Sequence, residues 1–250
     1  MVLAVNSVVA ARKSYDATSS NGQARWYTDY MGGNVPDVED APQCNLIEMG
    51  AHQTIVPHFH QVNQFQIFVG GTGQIGRNDL RMVALHYADH HTAYGPIHAG
   101  PNGLSLFTLR AQSDPGAIYL DKPGYKERLK PSKRRYLIAE GMQLSVGSVM
   151  RRRHEPSIEN VLDKATDTSD GLGAMMLRIG ADARCPGPDP GATGGQYYLV
   201  LNGTLRLAGE LYPVHSLVFV SRKEAALDVQ AGPEGLEALI VNLPKFERTE

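Results

Sequence analysis

His58 and His60 stand two positions apart in the run Pro57-His58-Phe59-His60, just ahead of the apolar stretch Gln64-Phe65-Gln66-Ile67-Phe68-Val69 and the pair Gly70-Gly71. In an extended strand residues i and i+2 face the same side, so the two imidazoles should converge. A third, His98, lies in Gly95-Pro96-Ile97-His98-Ala99-Gly100-Pro101-Asn102, at the head of a second apolar strand from Leu104 to Leu109. Three neutral imidazoles on neighbouring strands suit a first-row transition metal. Gln64 shares the strand parity of His60 and should point inward, as a weak fourth ligand through its amide oxygen or as a hydrogen-bond partner that holds an imidazole or a bound water. We take the second role. By the same parity Gln66 and Arg110 are candidates for a substrate pocket. Tyr94 and the cluster Asp89-His90-His91 could supply an acid or base beside the metal. Taken singly, His52, His86, His90, His91, His154 and His215 are read as ordinary satisfied side chains.

These residues fall into two motifs that resemble those of the cupin superfamily. His58, His60, Gln64 and Gly71 follow the first, with glutamine where the family has a glutamate ligand. Gly95, His98 and Asn102 follow the second, with Ala93 in the usual proline position. The second half of the chain repeats the first. Gln64-Phe65-Gln66-Ile67-Phe68-Val69-Gly70-Gly71-Thr72 aligns with Gln196-Tyr197-Tyr198-Leu199-Val200-Leu201-Asn202-Gly203-Thr204 at a shift of 132, and the shift persists from His98-Ala99-Gly100-Pro101-Asn102-Gly103-Leu104 to Gln230-Ala231-Gly232-Pro233-Glu234-Gly235-Leu236. A repeat of this length implies tandem units. The resemblance therefore implies an all-β chain of two tandem cupin jelly-roll barrels (double-stranded β-helices), a bicupin, divided into residues 1–120 and 121–250. At that shift His58, His60 and His98 fall on Pro190, Ala192 and Gln230. The second barrel should be degenerate and metal-free, giving one ion per chain.

Three neutral histidines and a neutral glutamine leave the charge of a divalent ion uncompensated, which favours an anionic, chelating, oxygenated substrate. A three-histidine centre with open positions is similar to that of cupin dioxygenases, so the expected cofactor is one divalent transition metal, Fe(II) first, with nickel, manganese, zinc or copper also accepted by imidazole. Two other classes stay open: a redox-neutral metal-dependent isomerase or lyase, and a small-molecule-binding cupin without turnover.

Many short β-branched and aromatic segments punctuated by glycine and proline support the all-β reading. Strands are expected at Cys44–Met49, Gln53–Val56, Gln64–Val69, Leu104–Leu109, Ala174–Ile179, Tyr197–Leu201, Ser216–Val220 and Leu236–Leu243. Phe65, Ile67 and Val69 form a second apolar face, to be covered by a strand, an arm or a partner, and a homodimer is expected. Ser113–Ser132 is placed as the interdomain connection. Ser14–Gln23 and Asp163–Gly173 read as exposed loops, and Arg151-Arg152-Arg153 as a solvated surface. A net charge of -2 offers no basic field for nucleic acid. The two cysteines, Cys44 and Cys185, form neither a zinc pattern nor a disulfide framework. Reduced thiols, a start without a signal-peptide pattern and the lack of a membrane-length apolar run lead us to expect a cytoplasmic protein without membrane contact.

Overall fold

The computed structural model describes residues 1–18, 22–32 and 41–245, and consists of antiparallel strands in two compact units. One unit spans Lys13–Met142, and the other combines Met1–Arg12 with Gln143–Glu250. The boundary expected at residue 120 therefore falls at 142, because the strand Tyr136–Ala139 pairs with Ala84–Ala88 inside the first unit. Ser113–Ser132 is likewise no linker: Ile118–Tyr119 pairs with His58–Phe59. The opening segment departs from the expected division as well, since Val2–Val5 pairs with Leu217–Val220 of the second unit.

In the first unit a nine-stranded sheet is built around two long strands, Gln64–Ile75 and Ile97–Arg110, paired antiparallel. The second unit has an eight-stranded sheet around Gly195–Leu207 and Asp228–Leu243. The repeat seen in the sequence is a repeat of register. Phe65 pairs with Leu109, Phe68 with Leu106 and Gly71 with Leu104; at the same shift Tyr197 pairs with Val241, Val200 with Ala238 and Gly203 with Leu236. Both sheets bulge at the same place, where Gly71 (φ 72°) and Gly203 (φ 70°) adopt the left-handed conformation. A Cβ there would lie 2.1 Å from the carbonyl oxygen of Gly103 or of Gly235, so side-chain-free residues are required. Earlier in each unit the shift becomes 130, for Met49 and Ile179 pair with Leu104 and Leu236.

Each unit closes over its own apolar cluster, of which Phe68, Ile97 and Leu106 are members in the first and Tyr198, Val218 and Leu236 in the second. The second apolar face of the first unit is buried within the chain: Phe65 and Ile67 are fully covered, and Phe65 packs on the ring of Tyr87. Ser14–Thr18, expected as loop, is a strand against Ala24–Met31, while the rest of that expected loop includes residues 19–21, outside the described residues. Arg151 ends a short helix, Gly147–Arg151, and pairs with Glu234, in keeping with a solvated surface.

Candidate functional site

The site is built where the first unit's strands present alternate residues to one cavity of about 330 Å³. His58 and His60 enter from the short strand His58–Phe59 and the turn after it, and Gln66 from Gln64–Ile75. Thr108 and Arg110 come from Ile97–Arg110, Arg25 and Tyr27 from Ala24–Met31, and Asp114 and Tyr119 from the following segment. The i, i+2 spacing does the selecting: Arg25 and Tyr27 face the cavity, whereas Trp26 between them is 56% exposed on the other face.

Hydrogen bonds assign the imidazole tautomers. His58 Nδ1 lies 2.8 Å from the carbonyl oxygen of Val56, to which only a protonated Nδ1 can donate, leaving Nε2 with a lone pair. His60 Nδ1 lies 2.6 Å from Asp114 Oδ2. Asp114 is fixed in turn by the backbone N–H groups of Gln61, at 3.2 Å, and Gly116, at 2.9 Å. Burial would raise the Asp114 carboxyl, but its bond to His60, the charge of Arg110 and the Gln61 N–H outweigh it and hold the group at about 2. Burial, reinforced by His60, pushes His58 down to about 3, and burial with Arg110 lowers His60 as well. Both imidazoles are thus neutral near pH 7, with Asp114 ionised beside them.

Behind them runs a buried amide network. Arg110 donates from Nε (3.1 Å) and Nη2 (2.9 Å) to Gln64 Oε1, and from Nη1 (2.8 Å) to Gln43 Oε1. Gln64 Nε2 donates to the Tyr94 hydroxyl, which also accepts from Gln66 Nε2 at 3.4 Å. The Tyr94 ring meets three imidazoles, with centroids 4.5 Å from His58, 4.8 Å from His86 and 6.4 Å from His60. His86 donates from Nδ1 to Gln66 Oε1 at 2.8 Å, and its buried Nε2 has no partner among the described residues. Burial holds His86 at about 3, so it too is neutral.

His98 is not part of this assembly. Ile97 and Ala99 on either side are buried at 0% and 5%, so strand parity sends His98 to the outside, where its Nδ1 pairs with Thr54 Oγ1 at 2.8 Å. It lines a separate surface depression with Gln74 and Asp79. Among the described residues no three His, Cys, Asp or Glu side chains come together to hold a metal ion. The expected centre of His58, His60 and His98 is corrected accordingly. The second motif matches in residue type, but it enters the strand one residue out of phase with an inward histidine.

Gln64 is committed to Arg110 and Tyr94 and serves as a spacer in the network. Gln66 and Arg110 line the cavity as expected, while Tyr94 lies behind its wall, beside His58. Asp89 is paired with Arg135 at 2.9 Å, and the nearby His91 donates its backbone N–H to the carbonyl oxygen of His60 at 2.7 Å. Sequence reasoning missed Asp114, Arg25 and His86. Asp114 stands in a stretch read as linker, and His86 in the strand Ala84–Ala88, which carries no motif spacing. Arg25 could have been found from the alternation of Ala24–Met31.

No family model matches the chain, and no curated protein matches it. Solved structures do. A protein described as a candidate dioxygenase from Nostoc punctiforme aligns over 100% of this chain and 85% of its own, with a TM-score of 0.65 and 8% identity. The fold is the cupin jelly roll. A bacterial pirin from Escherichia coli, in complex with nickel(II), aligns over 98% of this chain and 100% of its own, at TM-score 0.54 and 15% identity. Oxalate decarboxylase from Bacillus subtilis covers 98% of this chain and 77% of its own, at TM-score 0.58 and 12% identity. No helix of this cupin-fold chain is long and apolar enough to cross a membrane.

Proposed function

We propose that the first unit is a redox-neutral enzyme that moves a proton on a small, oxygenated, anionic molecule, with His60 as the base. The observation that carries this reading is the His60–Asp114 pair in the wall of the cavity. The ionised carboxylate fixes His60 in the Nδ1–H tautomer, leaves Nε2 as the proton acceptor and stabilises the imidazolium once the proton has moved. A C–H proton next to a substrate carbonyl passes to Nε2, and the electron pair shifts onto the carbonyl oxygen as an enolate. Return of the proton to the neighbouring carbon gives isomerisation; loss of a β-leaving group gives elimination. The guanidinium of Arg110, in the same wall, favours the enolate charge. His58, with Nδ1 used and Nε2 free, accepts a hydrogen bond from a substrate hydroxyl. The buried amides of Gln43, Gln64 and Gln66 keep these side chains in place without joining the chemistry.

The test needs no known substrate. Incubating the protein in D2O with a panel of small keto and hydroxy acids and following loss of the α-proton signal by NMR should reveal exchange. His60→Gln should lower its rate by about 10²–10⁴-fold. Exchange unchanged in His60→Gln, or absent across the panel, would remove the reading.

A divalent ion at His58 and His60 is the second reading. It is supported by the two anchored imidazoles with free Nε2 atoms, the carboxylate–histidine arrangement found behind metal ligands, and the nickel(II) named for the pirin structure. The fit is incomplete: two protein donors remain, Gln64 is taken, and Arg110 adds positive charge. An Fe(II) dioxygenase built on three histidines has lost its third donor. Elemental analysis of protein purified without chelators decides this: one tightly bound ion per chain would favour the second reading over the first. We further propose that the two units are tandem cupin barrels with the second lacking chemistry, since at either shift His58 and His60 align in sequence with positions of the segment Pro188-Asp189-Pro190-Gly191-Ala192, which has no imidazole.

A further inference from the structure

We infer that Arg25 is the recognition residue for a carboxylate, and that the cavity of the first unit takes small monocarboxylates. This rests on the proposed small-molecule site and names the class of molecule it accepts.

Arg25 is 3% exposed, yet among the described residues its guanidinium makes a single hydrogen bond, from Nη2 to the carbonyl oxygen of Thr54 at 2.5 Å. Nε is buried without a partner, and among the described residues no carboxylate forms an ion pair with Arg25. A buried charge without a counter-charge is costly, and proteins retain one where something else supplies the opposite charge. Arg25 lines the cavity, as does Thr108, whose buried hydroxyl oxygen also lacks a partner. The unpaired guanidinium defines the missing ligand as an anion that accepts from it, which the two oxygens of a carboxylate do; Thr108, level with Asn45 and Asp29 further along the sheet, is left to meet the rest of the molecule.

The other charges limit the ligand to one negative unit. Asp114 is held beside His60 and near Arg110, and Asp29, also in the wall, accepts from Asn45 and from the Tyr15 hydroxyl. With two carboxylates already present, a phosphate dianion would meet repulsion that a monocarboxylate largely avoids. Tyr27 and Tyr119 supply flat apolar surface for the remainder of the molecule.

The experiment is isothermal titration of the full chain with benzoate, pyruvate and lactate, with benzamide, pyruvamide and lactamide as neutral counterparts and inorganic phosphate as dianion. At least one acid should bind more tightly than its amide and than phosphate. Arg25→Met should weaken that acid by about ten- to a hundredfold, the loss expected for a hydrogen bond to a charged group, with Arg25→Lys in between. Ligand-free Arg25→Met should melt at or above the temperature of the wild type, because an unpaired buried charge has been replaced by an apolar side chain. A fall in melting temperature would identify Arg25 as a structural clip on Thr54 and overturn the proposal. Equal binding of acid and amide, tighter binding of phosphate, or acid affinity unchanged in Arg25→Met would overturn it too. His60→Gln separates the two readings: acid binding retained without α-proton exchange in any protein leaves the carboxylate site standing and removes the catalytic role. Exchange that persists with an unchanged KM in Arg25→Met does the reverse.

Discussion

At the scale of single residues, the site depends on which nitrogen of each imidazole carries the proton. His60 at pH 7 should be the neutral Nδ1–H tautomer; a long-range proton–nitrogen correlation spectrum should show it so in the wild type and mixed in Asp114→Asn, whose side chain can both donate and accept. Acid acts through the same groups. His58 and His86 are held at about 3 in the folded chain, against about 6.5 when unfolded. As pH falls from 6.5 towards 3, the unfolded chain takes up protons that the folded one refuses, and stability is lost; below the ordinary carboxyl range Asp114 adds a further loss as it approaches about 2. The slope of stability against pH between 6.5 and 4 should therefore be shallower in His86→Phe, measured as urea midpoints from the fluorescence of Trp26, the single tryptophan, which lies in this unit. Tyr94→Phe strands the amide donors of Gln64 and Gln66 and should cost about 1–3 kcal/mol. Of these residues only His58, His60, Gln64, Gln66, Arg110 and Tyr94 could be picked out in the sequence. They carry motif spacing or strand parity, or in the case of Tyr94 an acid-base side chain next to a motif, whereas Asp114 reaches His60 across 54 positions of chain, which no local pattern records.

Strands and turns decide what a motif can do. His98 has the right neighbours in sequence, yet Ile97 and Ala99 take the inward positions. A one-residue change of phase turns a side chain to the other face. Residue types and spacing do not record that phase. The long central strands, by contrast, were plain from their apolar alternation, and they extend beyond the expected limits because Gly71 and Gly203 let the chain bulge and continue. Gly71→Ala and Gly203→Ala should each destabilise their unit by about 1–3 kcal/mol or more, visible as a lowered melting temperature. Gly22→Ala, also at positive φ but with nothing within 4 Å of the new methyl, should cost less.

Over the whole molecule, the repeat is legible in the sequence because the paired strands of the two units keep their register at one shift. The limits of the units were hidden because Tyr136–Ala139 and Val2–Val5 pair with strands distant in sequence. The first unit presents His58 and His60 to a cavity; in the second the buried Glu237 is consumed by Ser145, Asn202 and Arg178. Titration of the full chain should thus give one carboxylate per chain. The face of Phe65 and Ile67 that suggested a homodimer is already buried in the single chain. The most direct measurement compares α-proton exchange in D2O by the wild type, His60→Gln and His98→Ala under identical conditions. The account predicts that His98→Ala stays within about twofold of the wild type, as a surface substitution should, while His60→Gln loses about 10²–10⁴-fold. Loss in His98→Ala as deep as in His60→Gln would return His98 to the site and contradict the account.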